Sequence, residues 1–535
     1  MSISSEIDSK ISPLFEWATK NGAHIDPRIQ FQRYGLTDGV MASVKRSEAD
    51  DIAGLKIWIP HNLELSSEVA KESLIPGSSV QPSNEMLKVF LAWGRGNQDV
   101  GITFLPYIRS LPQSSEEINT VLSWSLTERE ILLENTTLDI EVNRRLALLV
   151  QEWENVYRIL MSSDNCIEAI KNIDSTLFKD HAAEVSRDLY STQDYWWSFP
   201  NYLWAHSVLA SRAFPYRLFK KHVQEDAMVL LPVIDLLNHK PKSHVQWNVV
   251  ETGFELVPDV DLSTLELVNN YGPKSNSELL LGYGFAYDNN EFDHVVFMRK
   301  PSDFSSHWLG RNQEVVQFFK HKLSDYTWLN FGSDVFIFRV QEKIPPEMLQ
   351  LVSLLSMLDS DKKTLGVAHE IPDRATLRMA LHAVSELRTE FDLRRKILPK
   401  EASIDKKLSQ RNCSTKNRDN ALSLIRGQSR VFTTISRQMK ELENRLLNSH
   451  KKSHVSAARI LKYDNAASEI QSGDLIMKEW LENLRTRWKP EWINEDTFVG
   501  QSPSDIIRLY GYQRPGKAAE SILVQSLTIP NFSEL

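Results

Sequence analysis

The chain has 535 residues, of which 41% are apolar and 25% charged, with a formal net charge of −8. Such a length exceeds what one hydrophobic core usually holds, so two or more domains are expected, and the acidic balance argues against a nucleic-acid backbone as the main partner. Its two cysteines, Cys166 and Cys413, exclude a disulfide framework and a thiolate zinc cluster, and point to a reduced, intracellular protein without a metal site.

The opening MSISSEIDSKISPLFEW lacks the basic start and apolar run of a secretory signal. No stretch reaches the roughly 18 apolar residues that a membrane span requires. A helix is expected over SPLFEWATKNG, opened by Ser12 and Pro13 and stopped by Gly22. GVMASVKR (39–46) and LKIWIP (55–60) read as strands, and apolar spacing in LTEREILLENTTL and EVNRRLALLVQEWENVYRILM predicts helices through 111–200. PNYLWAHSVLASRAF (200–214) is apolar on nearly every side and should be a buried helix. MVLLPVIDLLNH (228–239) is a strand-like run ending in polar residues, and QWNVV and FELVP form a hairpin-like pair around Glu251-Thr252-Gly253. Beyond about 300 the chain reads as mostly helical. Ile425, Phe432, Met439 and Leu446 fall seven apart, with Ile435 and Leu442 between them, which is an amphipathic heptad-like stripe. The polar, basic stretch 394–420 reads as an exposed loop, and the last 70 or so residues as two short helices and a tail with RPGK (514–517) as a turn.

Two segments concentrate chemistry. DLLNH (235–239) puts Asp235, Asn238 and His239 at the end of an apolar run, and strand ends are where sites are usually built. YGPKSNSELLLGYGF (271–285) sets two tyrosines twelve positions apart, joined by a Gly-Pro turn and a helix starting near Ser275 or Asn276. Taken singly, each reads as structure: a satisfied core histidine, and a turn with packed aromatics.

Together, in the order SRAF (211–214), LLPVIDLLNH (230–239) and NNYGPKSNSELLLGYGF (269–285), they resemble the SET-domain lysine methyltransferases of the branch typified by the Rubisco large-subunit methyltransferase. WWSFPNYLWAHSVLASRAF (196–214) and SLIRGQSRVFTTISRQMKEL (423–442) are similar to the yeast ribosomal-protein lysine methyltransferases. The resemblance implies an α+β fold with a pseudoknot: a SET domain over 20–300, split by a helical insertion at about 106–195. An all-α substrate-binding domain over 301–450 would follow, then a helical extension over 451–535. It implies S-adenosylmethionine as cofactor and Tyr271 as catalytic residue. Asn238, His239, Arg212, Asp235, Tyr271 and Phe285 would lie at the cofactor, and Tyr283 and Tyr271 would line the lysine channel. Asp38, Gly39 and Val40 stand where the family has a Glu-Gly-x-Gly turn that contacts the cofactor; here Met41 replaces the second glycine. The expected acceptor is a lysine on a large-subunit ribosomal protein. A translation elongation factor, an actin histidine and a non-catalytic SET-like binding protein are the alternatives. A monomer is expected, cytoplasmic with the nucleus as a second location, with neither membrane nor direct nucleic-acid binding. Glu255, Asp259, Asp261 and Glu266 are candidates to steer a basic substrate.

Overall fold

The computed structural model describes residues 11–33, 39–96, 102–174, 195–220, 224–298, 335–357, 359–366, 374–409, 411, 413–451, 454–456, 511–513, 521–524, 527–530 and 532. They divide into two units: residues 1–290 with 399–424, and residues 291–398 with 425–535.

Short strands from the two ends of the first unit's sequence interleave. In one antiparallel sheet the order is His24–Ile25, Ile57–Pro60, Gly253–Val257, Gln246–Val250, with Ile57 opposite Leu256. Leu256, Phe254, Ile57 and Ile59 are each fully buried, as alternation on a half-buried sheet demands. The expected hairpin is present, with Gly253 opposite Val250 across a two-residue turn. A second sheet runs Asp259–Asp261, Glu266–Asn269, Val40–Val44, Ile29–Arg33, and Asn238–His239 pairs in parallel with Val268–Asn269, beyond the point where Glu266 meets Ser43. Leu65–Ser66, Met228–Leu230 and Phe214–Pro215 make a third. The apolar run 228–239 is therefore not one strand. It breaks at Pro232-Val233, where buried Val233 is held at φ +74°, turns through Ile234–Leu236, and resumes as Asn238–His239.

Between the two sets of strands lie helices, as the split arrangement requires. The longest is Thr137–Met161, which buries Leu146, Leu149, Trp153, Val156 and Leu160 on one face. The helix Phe199–Arg212 buries Tyr202, Leu203, Trp204, Ala205 and Val208, and the Trp204 indole donates to the Pro112 carbonyl at 2.7 Å.

The stretch 394–420 was expected to be an exposed loop inside the following domain, but the structure groups residues 399–424 differently. They belong to the first unit and are helical: Glu401–Leu408 forms one helix, and Thr415 opens another that runs to Ser449. The charges that suggest a loop are instead paired between these helices. Arg418 bridges to Asp405 at 2.7 Å and to Glu401 at 3.2 Å, while Ile404 is buried beneath. Glu128 accepts from the Ser414 amide and the Asn417 side chain, both at 3.0 Å.

Among the described residues the second unit is helical with two small sheets. Helices Pro346–Leu355 and Leu377–Ile397 and the heptad stripe Ile425, Phe432, Ile435, Met439, Leu442, Leu446 supply buried residues. Phe391 lies between Phe338 and Phe432, with ring centroids 4.9 and 6.0 Å away. His294–Met298 pairs with Val335–Arg339. Beyond residue 450 the described elements are strands, not the helices expected: Ser521–Val524 pairs with both His454–Ser456 and Gly511–Gln513. β-branched Ile522 and Val524 favour that state. The RPGK turn lies outside the described residues. Among the described residues no helix is long and apolar enough to cross a membrane.

Candidate active site

The parallel pairing of Val268 with Asn238 and Asn269 with His239 sets two chain segments side by side. As the chain leaves Asn269 it crosses over the histidine. The Tyr271 amide donates to His239 Nδ1 at 3.0 Å, and the Tyr271 hydroxyl donates to the Leu237 carbonyl at 2.8 Å. The Tyr271 ring stacks on His239 at 4.9 Å on one side and on Tyr283 at 4.8 Å on the other, with interplanar angles of 16° and 19°. Phe285 completes the group, 6.4 Å from Tyr283 and 6.5 Å from His239.

The helix Asn276–Gly282 carries Tyr283 to this place. Ser275 and Glu278 form a reciprocal capping box at its start, and Tyr283 is its C-terminal cap. The cap satisfies backbone donors that would otherwise be orphaned, which fixes the entry of the helix.

Electrostatically the group is neutral. Because Nδ1 accepts from the Tyr271 amide, the proton of a neutral His239 sits on Nε2, a buried atom with no partner. Burial is the main cause of a His239 pKa lowered to about 4. Burial also pushes the Tyr283 phenol up to about 12, and that of Tyr271 further above its ordinary value. An orphaned buried donor beside three aromatic rings fits a ligand that brings its own acceptor and apolar surface.

Beneath lies a polar support. Asp235 is 7% exposed; its Oδ2 accepts from the Tyr107 hydroxyl at 2.8 Å and from Arg212 at 3.2 Å, and Arg212 also donates to the Asp235 carbonyl at 3.0 Å. Asp235 Oδ1 is buried without a partner. Burial raises the Asp235 pKa against the opposing pull of Arg212. Tyr107, in FLPYIRSLP, has no place in the sequence reading; a lone tyrosine in an apolar helix carries no signal of a partner 128 residues away.

The structure thus brings Tyr271, His239, Tyr283 and Phe285 together, with Asp235 and Arg212 below. Asn238 is exposed, and its amide donates to Glu266 at 2.9 Å. Gly39 sits at φ +83° before the strand Val40–Val44. That strand pairs Ser43 with Glu266, three residues before Asn269, which pairs with His239. Asp38 lies outside the described residues. Of the proposed steering acids, Glu255 is paired with Lys56 at 2.9 Å and Asp261 with Lys240 at 2.7 Å. No group of acids, histidines and cysteines among the described residues could hold a metal ion.

No family model matches the chain. Individual proteins do. Ribosomal lysine N-methyltransferase 1 of Saccharomyces cerevisiae is 24% identical over 512 residues, 88% of this chain and 82% of that one. Protein-lysine N-methyltransferase EFM1 of the same yeast is 26% identical over 520 residues, 91% and 84%. Ribosomal lysine N-methyltransferase set10 of Schizosaccharomyces pombe reaches 40% over 123 residues, 22% of each chain. Among solved structures, the SET domain of LSMT bound to lysine and AdoHcy superposes with a TM-score of 0.58 at 16% identity, covering 82% of this chain and 93% of that one. Fold and site together define a SET-domain protein. Within that class, the relatives that match this chain along most of its length are protein-lysine methyltransferases, and its fold is that of the Rubisco LSMT SET domain.

Proposed function

We propose that this protein methylates a lysine on a protein of the large ribosomal subunit, with S-adenosylmethionine as donor. The observation that carries methyl transfer is the stack Tyr283–Tyr271–His239 with its partnerless Nε2. The choice of a ribosomal acceptor rests on the likeness to ribosomal lysine methyltransferases of two yeasts.

A lysine is nucleophilic only when neutral, and its free pKa is about 10.4. An aromatic wall without charge disfavours the ammonium form by desolvation. When bound, the cofactor supplies an electrophilic methyl group. The protein's part is placement. The Tyr271 hydroxyl, donating to the Leu237 carbonyl, has a free lone pair with which to accept from the incoming amine. Neither tyrosine acts as general base, since burial holds both phenols protonated at neutral pH. We assign His239, Asn238, Phe285, Arg212, Asp235, Gly39 and Val40 to holding the cofactor, His239 by its Nε2–H and Phe285 by its ring. Arg212 and Asp235 would act through the backbone that carries Asn238 and His239. The cytoplasm is the proposed location.

Comparing intact masses of large-subunit proteins from cells with and without this enzyme tests the acceptor. One protein should lack one or more methyl increments in the deleted strain. The likeness to EFM1 over most of the chain favours a second reading, a translation elongation factor. Unchanged ribosomal masses with a lighter elongation factor would select it.

A further inference from the structure

Tyr283 and Phe285 flank Gly284, in a turn that belongs to no helix or sheet. Gly284 has φ +79°, and a Cβ there would stand 2.3 Å from the Ile118 carbonyl oxygen. Such a turn has no ladder to hold it, and its peptide groups still require partners. Two buried asparagines supply them. Asn119 donates through Nδ2 to the Gly284 carbonyl at 3.1 Å. Asn420 donates to the same oxygen at 3.4 Å and accepts from the Ala286 amide through Oδ1 at 3.0 Å. Asn119 and Asn420 are 5% and 8% exposed. Asn119 is itself fixed, at φ +53°, with its carbonyl accepting from the Trp124 indole at 3.2 Å.

The two come from different parts of the chain, one beside the helix Ser115–Ile118 and one on the helix Thr415–Ser449. They converge on the peptide groups between two site aromatics. A primary amide alone among side chains of this length offers donor and acceptor together, which the Gly284 carbonyl and Ala286 amide demand. We infer that Asn119 and Asn420 are positioning residues. They clamp the Gly284–Ala286 backbone and so set how Tyr283 and Phe285 stand against Tyr271, and with it the width of the acceptor channel. The inference rests on the proposed role of that aromatic wall.

The test uses the full chain, its acceptor protein and Asn420→Ala, Asn119→Ala, Asn420→Asp and Ser423→Ala. Ser423 lies on the same helix and donates to Asp288 at 3.0 Å, tying neighbouring segments without touching the turn. For Asn420→Ala and Asn119→Ala, kcat should fall about tenfold, the scale of one net hydrogen bond, while KM for the protein substrate stays within about twofold. Amide exchange at Ala286, read without cofactor, should quicken in Asn420→Ala. Asn420→Asp keeps the acceptor, so it should restore protection at Ala286 and part of kcat. Ser423→Ala should keep both parameters. A folded Asn420→Ala with wild-type kcat and wild-type exchange overturns the inference, as does an equal fall of kcat in Ser423→Ala. Absence of methyl transfer by the wild-type enzyme would instead strike the proposed function, and exchange at Ala286 would still decide for or against the clamp.

Discussion

At the scale of single residues, the site works by withholding charge. Tyr271 uses its hydroxyl and its amide to lock two neighbours, Leu237 and His239. Tyr271→Phe removes one oxygen and leaves the stack, so it should fold while losing roughly a hundredfold in kcat, the scale of removing one preorganised polar group. Circular dichroism with steady-state rates checks this; near-normal turnover would remove Tyr271 from the mechanism. His239 gives a pH signature. Its folded pKa of about 4 lies below the ordinary 6.5, so between these values the unfolded chain binds a proton that the folded chain refuses. Its contribution to stability is present above pH 6.5 and is lost as pH falls toward 4. Melting wild type and His239→Gln across that window isolates it from Asp235, whose burial acts with the opposite sign. The variant should show the shallower fall below pH 6.5.

At the scale of elements, the asymmetry between what sequence patterns reveal and what they hide is instructive. That His239, Tyr271 and Tyr283 would lie near one another was legible because they sit in contiguous segments whose order is characteristic. The capping box Ser275–Glu278 was legible because it is local. Tyr107, Asn119 and Asn420 were not, since each acts on a partner more than a hundred residues away through a hydrogen bond that leaves no periodicity. The segment 394–420 misled for a related reason: its charges resemble solvated ones until Glu401 and Asp405 are seen to pair with Arg418. Gly284 makes the point quantitatively. Gly284→Ala meets both a left-handed φ and a backbone oxygen 2.3 Å from the new methyl group. A loss of at least about 2 kcal/mol is expected, measurable by urea denaturation. A loss below about 0.5 kcal/mol would mean that the turn is not held as described.

At the scale of the whole molecule, the net charge of −8 favours basic partners at long range. Local pairing tempers this, because Glu255 and Asp261 are already engaged by Lys56 and Lys240. Any steering of a basic acceptor should therefore be diffuse and screened by salt, over a Debye length of about 8 Å at physiological ionic strength. Raising salt from about 0.05 to 0.5 M should increase KM for the protein acceptor several-fold and leave kcat nearly unchanged. A salt-independent KM would assign recognition to apolar contacts instead.

The pairing of Ile57 with Leu256 across the first sheet has a consequence for how the protein is born. During synthesis, strands made in the first 66 residues can pair only with one another, as Ile25 with Ile57 and Phe31 with Ala42, until the ribosome has added the roughly two hundred residues that carry the partners of their other edges. Contacts so distant in sequence slow folding, because the loop must close before any of them is rewarded. At about 5–20 residues per second, the early strands wait some ten seconds or more with open edges, an interval in which a chaperone or a misplaced pairing finds them first. The helices encoded between the two sets of strands can form during that interval, so the order of translation runs from scaffold to catalytic centre.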